Sequence, residues 1–281
     1  MNALEIEGLT KSFTGFTLDG LDLTLPSGCI IGLIGENGAG KSTTIRLVLN
    51  MLRRDAGSIR VFDTECTEAN VAEMREDIGV VLDEVGFPDC LTAVQVGKVM
   101  ANVFSRWDDA EYTRLLRLLT IPENKPFKEF SRGMKMKLGI AVAMSHRARL
   151  LLLDEPTSGL DPVVRDEVVS LFSEFTRDEN HAILISSHIV SDLEKLCDYV
   201  AFLHRGKLML CEEKDLLLSE YGILHCTEAE LSSISPGAVK YKHITRYGAD
   251  AIVQRSAVPA GMKLSPVTLE ELFVVMAKEA K

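Results

Sequence analysis

The segment GENGAGKS, residues 35–42, constrains this chain more than any other feature, because it matches the pattern G-x-x-x-x-G-K-[ST] at every fixed position. The apolar residues 29–35 before it are typical of a short buried strand, and residues 43–49 after it are typical of the start of a helix. The pattern is meaningful only in such a strand–loop–helix context. The sequence therefore predicts a loop that binds the phosphate groups of a nucleotide.

The residue types in this loop have separate tasks. Glycines let the backbone pass close to phosphate oxygens, and the amides at a helix start point towards an anion. Lys41 supplies a mobile positive charge for the β- and γ-phosphates, and Ser42 offers a hydroxyl to Mg²⁺. The predicted nucleotide contacts of this loop are Gly35, Glu36, Asn37, Gly38, Ala39, Gly40, Lys41, Ser42 and Thr43.

Composition narrows the class of protein. The chain has 281 residues and a formal net charge of −10, which argues against nucleic acid as the main partner, because such binders usually carry a basic face. No apolar run approaches the 18 residues of a membrane span, and the N-terminus lacks the flanks of a signal peptide. The six scattered cysteines are typical of a reducing compartment. We expect a cytoplasmic protein, one compatible with attachment to a membrane partner.

Alternating patterns along the chain predict an α/β fold, with a parallel sheet covered by helices on both sides. Residues 90–144 change to a helical pattern, which we interpret as an insertion into the α/β core. Beyond residue 213 the pattern weakens, until Thr268 and Glu271 predict a capped C-terminal helix. The strand candidates are residues 21–25, 29–35, 59–62, 78–82, 150–153, 182–185, 199–203 and 251–255.

Two acids follow one of these buried strands. Leu150–Leu153 is a continuous apolar run that ends in Asp154 and Glu155. With a phosphate loop upstream, the first acid can hold the Mg²⁺ shell, and the second can orient and deprotonate an attacking water. The alternative is a polar loop after a core strand. The combination with the phosphate loop favours ATP hydrolysis.

With these two motifs in this order, the chain resembles the ATP-binding subunits of ATP-binding cassette (ABC) transporters over about residues 3–210. The segment Phe130–Lys135 is similar to the signature of that family. Ser131 and Gly133 match the signature, whereas Arg132 stands in place of its first glycine and a methionine replaces its glutamine.

Further positions extend the resemblance. Ser158–Asp161 resembles the loop that crosses the dimer interface, so Asp161 is implied as a nucleotide-site residue. His188 resembles the switch histidine, and Phe13 falls where the family places an aromatic ring on adenine. Two alternatives stay open: Phe13 could be a core residue, and His188 could be a packed or surface histidine.

The resemblance implies a P-loop NTPase core with a mixed or parallel sheet, an N-terminal antiparallel β subdomain and an inserted helical subdomain at about residues 86–145. It implies an ATPase domain at residues 1–212 and a small α+β accessory segment at residues 213–281. Two subunits would pair head to tail, with each ATP between the phosphate loop of one and the signature helix, with Ser131 and Gly133, of the other. The implied catalytic residues are Lys41, Asp83, Glu155 and His188, and the implied Mg²⁺ residues are Ser42, Asp83 and Asp154.

Asp83 departs from the usual family pattern, in which a glutamine follows this strand. An acid here resembles the group of bacitracin, lantibiotic and drug exporters. A carboxylate can coordinate Mg²⁺ more strongly than an amide. The alternative is that Asp83 is a solvated loop acid.

We therefore expect an ATPase subunit that powers a membrane transporter, an exporter in the first instance. It would use ATP and Mg²⁺, act as a homodimer or heterodimer, and lie on the inner face of the membrane through separate permease subunits. The groove beside Asp83, where residues 83–104 join the sheet to the helical block, is expected to receive a short amphipathic helix of a membrane subunit at Phe87. The alternative is that Phe87 only packs inward. The alternatives are a cassette ATPase that acts on DNA or ribosomes without a membrane partner, and a non-catalytic nucleotide sensor.

Overall fold

The computed structural model of the protein describes residues 1–245, 248–259 and 261–279. The strands are, in chain order, β1 (Asn2–Phe13), β2 (Phe16–Pro26), β3 (Ile30–Gly35), β4 (Ala56–Val61), β5 (Thr64–Glu65), β6 (Ile78–Val81), β7 (Leu150–Asp154), β8 (Ala182–Ser187), β9 (Tyr199–His204), β10 (Lys207–Glu213), β11 (Tyr221–Cys226), β12 (Val239–Thr245), β13 (Gly248–Gln254) and β14 (Leu264–Ser265). The α-helices are α1 (Lys41–Val48), α2 (Val71–Met74), α3 (Ala93–Val103), α4 (Asp109–Leu118), α5 (Arg132–Met144), α6 (Pro162–Phe175), α7 (Val190–Leu196), α8 (Lys214–Glu220), α9 (Glu228–Ser232) and α10 (Leu269–Glu279). Within the described ranges no helix has the length and apolar character needed to cross a membrane.

A six-stranded sheet forms the centre of the molecule, in the order β10-β9-β3-β8-β7-β6. Strands β9, β3, β8, β7 and β6 are parallel, and β10 is antiparallel at the edge. Every residue of β3, β7 and β8 is buried, as expected for interior strands covered on both faces. The predicted mixed sheet with a parallel core is confirmed. Because parallel strands end at one edge, the loops after β3, β6, β7 and β8 gather there.

An antiparallel sheet of order β2-β1-β4-β5 covers one side of this core, which confirms the predicted N-terminal β subdomain. Leu21, Leu23 and Leu25 are buried, whereas Asp22 and Thr24 between them are exposed. This period of two is the pattern of a strand with one face in the core. The buried leucines join a cluster that includes the inner face of α1 and part of the central sheet.

The predicted helical insertion consists of α3, α4 and α5, between β6 and β7. Each of these helices begins at a side-chain N-cap: Thr92, Asp108 and Ser131. The helices pack around Tyr112, whose hydroxyl donates to the carbonyl of Ala93 at 2.8 Å. This packing places the start of α5 at the edge of the central sheet where the parallel strands end.

The C-terminal part contains a four-stranded antiparallel sheet of order β12-β13-β11-β14, followed by α10. The predicted strand at residues 251–255 lies mainly within β13, and the predicted capping box between Thr268 and Glu271 is present. Helix α10 packs on the ATPase core, where Phe273 meets Phe202 edge-on at 5.0 Å. Since β10 ends at Glu213, the division of domains at residue 212 stays a prediction.

Candidate functional site

The phosphate loop has the geometry that its sequence predicts. It leaves β3 at Gly35 and enters α1 at Lys41. Gly38 and Gly40 have φ of +83° and +115°, values that side chains rarely adopt. A Cβ atom on Gly35 would lie 2.6 Å from the carbonyl oxygen of Leu203, so close approach of the backbone excludes a side chain there. The glycines therefore shape the loop, as the motif requires.

The predicted contact residues of this loop differ in exposure. Residues 36–38 are exposed, residues 39–41 are buried, and Ser42 and Thr43 are half-buried. Thr44, which sequence reasoning missed, anchors the loop: its buried hydroxyl donates to the carbonyl of Gly40 at 3.0 Å. A threonine four residues after a glycine has no local signal for this role, because the bond depends on the helix that forms.

Lys41 is buried, with only 6% of its surface exposed. Its Nζ donates to the carbonyls of Gly35 at 2.7 Å and Glu36 at 3.3 Å. Burial lowers the pKa of Lys41, and the nearby carboxylates of Glu155 and Asp154 partly offset this shift. The ammonium group is therefore held inside the loop by backbone carbonyls, close to two acids and available to an incoming phosphate.

Asp154 ends β7 and is also buried, at 2% exposure. Its Oδ1 accepts a hydrogen bond from Ser186 Oγ at 2.6 Å. Ser186 also accepts from the amide of Glu155, through its carbonyl at 3.1 Å and its Oγ at 3.2 Å. Sequence reasoning assigned no role to Ser186. The strand register places it beside Asp154, which is a relationship between two strands that the chain order does not show.

Glu155 and His188 lie in contact, a relationship that the sequence analysis did not predict. Glu155 has a φ of +54°, an uncommon conformation for a residue with a side chain. Its Oε2 lies 2.5 Å from His188 Nδ1 and accepts the His188 amide at 3.2 Å. The Glu155 side chain is 14% exposed and the His188 side chain 54% exposed, so the pair faces solvent on the histidine side. His188 is thus a surface histidine with a specific carboxylate partner.

Asp83 lies just after β6, on the same sheet edge, and its side chain is 48% exposed. It is not a free solvated acid: its Oδ1 accepts from Arg132 Nη2 at 2.6 Å. In the described part of the chain, no group of three or more His, Cys, Asp or Glu side chains is arranged to hold a metal ion. The residues present suit Mg²⁺, which keeps several waters and takes one or two protein carboxylates together with phosphate oxygens.

The segment that resembles the signature starts α5. Ser131 caps this helix by accepting the amide of Met134 at 3.3 Å. A Cβ atom on Gly133 would lie 3.3 Å from Leu160 in the loop after Glu155. In that loop Asp161 caps α6, accepting the amide of Val164 at 3.1 Å. The start of α5 and the loop that follows Glu155 are therefore packed together within one subunit.

Phe13 lies at the end of β1 and its side chain is exposed, at 43%. The interpretation of Phe13 as a core residue is wrong for this reason. Its ring is stacked near that of Phe16, with centroids 6.3 Å apart, and Lys11 Nζ lies 5.8 Å from its centroid. An exposed ring on the subdomain that flanks the phosphate loop suits a planar base.

Known proteins resemble this chain across the same elements. The family model described as ABC transporter matches residues 18–158, from β2 to the loop after Glu155. The bacitracin transport ATP-binding protein BcrA of Enterococcus faecalis is 33% identical over 209 residues, which cover 73% of this chain and 68% of that protein. The lantibiotic transport ATP-binding protein SrtF of Streptococcus pyogenes is 36% identical over 214 residues, 75% of this chain and 91% of that protein.

Solved structures show the same fold. The structure of an ATP-binding subunit of an ABC transporter superposes with a TM-score of 0.71 and 26% identity, over 77% of this chain and 92% of that one. A dimeric ATP-binding cassette in a post-hydrolysis state, bound to ADP and Pi, superposes with a TM-score of 0.67 and 17% identity, over 75% of this chain and 98% of that one. At 17% identity, the likeness to this second structure concerns the fold alone.

Proposed function

This chain belongs to the family of ABC transporter ATPases, and we propose that it supplies the energy for a membrane transporter by binding and hydrolysing ATP between two ATPase subunits. The observation that carries the proposal is the position of Glu155. It lies beside the buried Asp154, contacts His188, and follows β7, which only β8 separates from β3, the strand that leads into the phosphate loop. Its charge also acts on Lys41 in that loop. A carboxylate at this point can accept a proton from water as the water attacks the γ-phosphate.

The other residues of the site have separate proposed roles. Lys41 and the loop amides bind the phosphates, Ser42 and Asp154 would hold Mg²⁺, and His188 orients Glu155. Bound Mg²⁺ would neutralise phosphate charge. Asp83 is proposed as a further ligand once it leaves Arg132, and Phe13 as the adenine platform.

ATP hydrolysis by the purified chain tests the catalytic assignment. Glu155→Gln should keep ATP binding and reduce turnover by about 10²-fold or more, the scale for loss of a positioned base. Lys41→Ala should weaken ATP binding itself. Glu174→Gln on the exposed face of α6 and Lys98→Ala on α3 are matched controls that should change neither property. Normal turnover of the Glu155→Gln variant would contradict the proposal.

A shared site between two subunits is proposed for Ser131, Gly133 and Asp161. Each subunit has a complete phosphate loop and also a second helix start, capped by Ser131, that suits an anion. Mixing Lys41→Ala subunits with Ser131→Arg subunits should restore one working site per dimer. Recovery of ATPase activity above that of either variant alone is the expected result, and no recovery in confirmed mixed dimers of this chain would contradict the shared site.

For the transporter as a whole, we propose export through separate permease subunits, with the protein on the inner face of the membrane. The support is that BcrA and SrtF, two of its relatives, are named for bacitracin and lantibiotic transport. Residues 213–281 are proposed as an accessory segment, since they pack on the ATPase core through α10.

The permease contact is proposed at an apolar groove of about 500 Å³ between the central core and the helical insertion. Its lining includes Met51, Val80, Val103 and Phe104. Met51 is 54% exposed and Val103 is 59% exposed, so this groove presents large apolar side chains to solvent. Phe87 is half-buried and meets the buried Phe127 edge-on at 5.6 Å, so its main role is inward packing.

A further inference from the structure

The pairing of Asp83 with Arg132 joins two segments that are 49 positions apart in the chain. Asp83 follows β6, and Arg132 is the first residue of α5. Both side chains are well exposed, at 48% and 59%, so the pair adds little to the stability of the fold. Its effect is instead to fix where the Asp83 carboxylate lies.

The surroundings of Asp83 explain why its position matters. In the parallel pairing of β6 with β7, Val81 lies opposite Leu153, so Asp83 and Glu155 each lie two residues beyond this matched pair. Asp154 and Glu155 already place two carboxylates at this edge of the sheet, opposed by the partly desolvated ammonium of Lys41. In the absence of Mg²⁺ to bind it, a third carboxylate free to approach would repel the phosphates of ATP.

Arg132 is itself held in place. A Cβ atom on Gly159 would lie 3.3 Å from Arg132 Cδ, so the stem of the arginine packs on the loop that follows Glu155. Asp83 and Arg132 line a groove of about 600 Å³. Glu84 and Lys135, which have opposite charges, line it as well. Lys135 lies over the Phe127 ring at 4.6 Å. The charge that meets Asp83 directly is therefore the guanidinium of Arg132.

We propose that Arg132 is a positioning residue that holds Asp83 away from the phosphate site and thereby sets the affinity of the subunit for ATP. The inference rests on the proposed function, because it concerns the same nucleotide site. A purely structural role of Arg132 would instead change the stability of the fold and leave ATP affinity unchanged. A direct contact of Arg132 with the nucleotide would not depend on Asp83.

A double-mutant cycle in the otherwise wild-type chain separates these roles. The readout is the dissociation constant of ATP, measured by equilibrium titration with EDTA present so that no metal mediates the effect. Arg132→Ala should weaken ATP binding by about three- to tenfold, the scale of one added charge near the triphosphate at a protein surface. Asp83→Asn should bind ATP at least as tightly as the wild type, and Arg132→Ala in the Asp83→Asn background should change the affinity less than twofold.

The control is Arg114→Ala, which breaks an exposed arginine–carboxylate pair with Glu111, also in the helical insertion. It should leave ATP affinity unchanged. The inference is overturned if folded Arg132→Ala binds ATP as the wild type does, or if the loss is equally large in the Asp83→Asn background. Failure of the wild-type chain to bind ATP would instead contradict the proposed function, so the two failures are distinguishable.

Discussion

His188 Nδ1 and Glu155 Oε2 lie 2.5 Å apart, and the His188 amide donates to the same carboxylate oxygen at 3.2 Å. One residue therefore holds the carboxylate proposed as the catalytic base through two groups, only one of which belongs to its side chain. The amide bond survives any substitution of His188 that keeps the backbone in place. The imidazole adds a second restraint and a polar group beside the proposed water position.

We expect His188→Ala to reduce ATP turnover without abolishing it, since the amide of residue 188 still restrains Glu155. The loss should be smaller than that of Glu155→Gln, which we expect to be about 10²-fold or more. Steady-state ATPase rates at saturating ATP measure the difference. The matched control is His225→Ala, because His225 Nδ1 also contacts a carboxylate, Asp250, at 2.7 Å, but in the C-terminal sheet. Equal losses for His188→Ala and His225→Ala would exclude the positioning role.

Gly206 ties the N-terminal sheet to the phosphate loop. Its amide donates to the carbonyl of Ala39 at 3.0 Å, and its carbonyl accepts from the amide of Asp19 at 2.9 Å. Its φ is +82°, and a Cβ atom there would lie 1.8 Å from the carbonyl oxygen of Thr17. Gly206→Ala therefore combines a strained backbone, about 1–2 kcal/mol, with overpacking of about 1–3 kcal/mol.

Gly15→Ala is the control for that prediction, since Gly15 has a φ of +85° but no atom lies within 4 Å of the place that a Cβ would take. It should lose only the backbone contribution of about 1–2 kcal/mol. Urea unfolding of the three proteins gives the comparison. If both variants lose the same free energy of unfolding, the close approach at Thr17 has no energetic consequence.

We expect the buried His146 to make the stability of the fold depend on pH. It is 1% exposed, stacks on Phe104 with centroids 3.9 Å apart, and its Nδ1 has no hydrogen-bond partner among the described residues. Burial lowers the pKa of His146 from its usual 6.5, and Glu76 offsets part of this shift. As the pH falls through 6.5, the unfolded chain takes up a proton that the folded chain does not, so stability present above this pH is lost below it.

We expect the wild type to lose free energy of unfolding between pH 6.5 and 5, with this group contributing at most about 1.4 kcal/mol per pH unit. His146→Phe, which keeps a ring against Phe104, should reduce that slope. The aspartates with lowered pKa, such as Asp77, lose their contribution only below their usual 3.8, outside this window. Denaturant unfolding across the pH range checks the prediction, with exposed His243→Phe as control. Parallel profiles for the wild type and His146→Phe would contradict it.

The sequence predicted best what depends on local chemistry. The phosphate loop could be identified because each of its residues has a separate physical requirement, and β3 and β7 could be identified because strands buried on both faces are continuous apolar runs. The central sheet, the helical insertion and the capped helix α10 followed from such patterns.

Relationships across the fold were less accessible. The Asp83–Arg132 pair and the contacts of Ser186 with Asp154 and Glu155 join segments about 30 to 50 positions apart, and no spacing in the chain encodes them. Most strands of the C-terminal sheet were also missed, because they are short and rich in polar residues and therefore resemble loops in the sequence. Only the strand around Ala251 was predicted there.

The apolar groove gives the last prediction, which concerns assembly with the permease. Met51→Asp and Val103→Asp should each leave the ATPase rate of the isolated subunit near that of the wild type, because neither residue is assigned to the nucleotide site. Each should weaken assembly, since a charge would have to be buried against the apolar surface of a partner. The measurement is the fraction of ATPase subunit that co-purifies with co-expressed permease subunits.

A charge on any exposed valine could reduce recovery, so the comparison needs a variant outside the groove. Val163 on α6 is 69% exposed, and Val163→Asp makes the same chemical change away from the groove lining. Phe87→Asp distinguishes a loss of packing from a loss of docking. Because Phe87 packs on Phe127, this variant should have a lower melting temperature, whereas Met51→Asp should not. Co-purification of Met51→Asp and Val103→Asp at the level of Val163→Asp would move the permease contact to another surface.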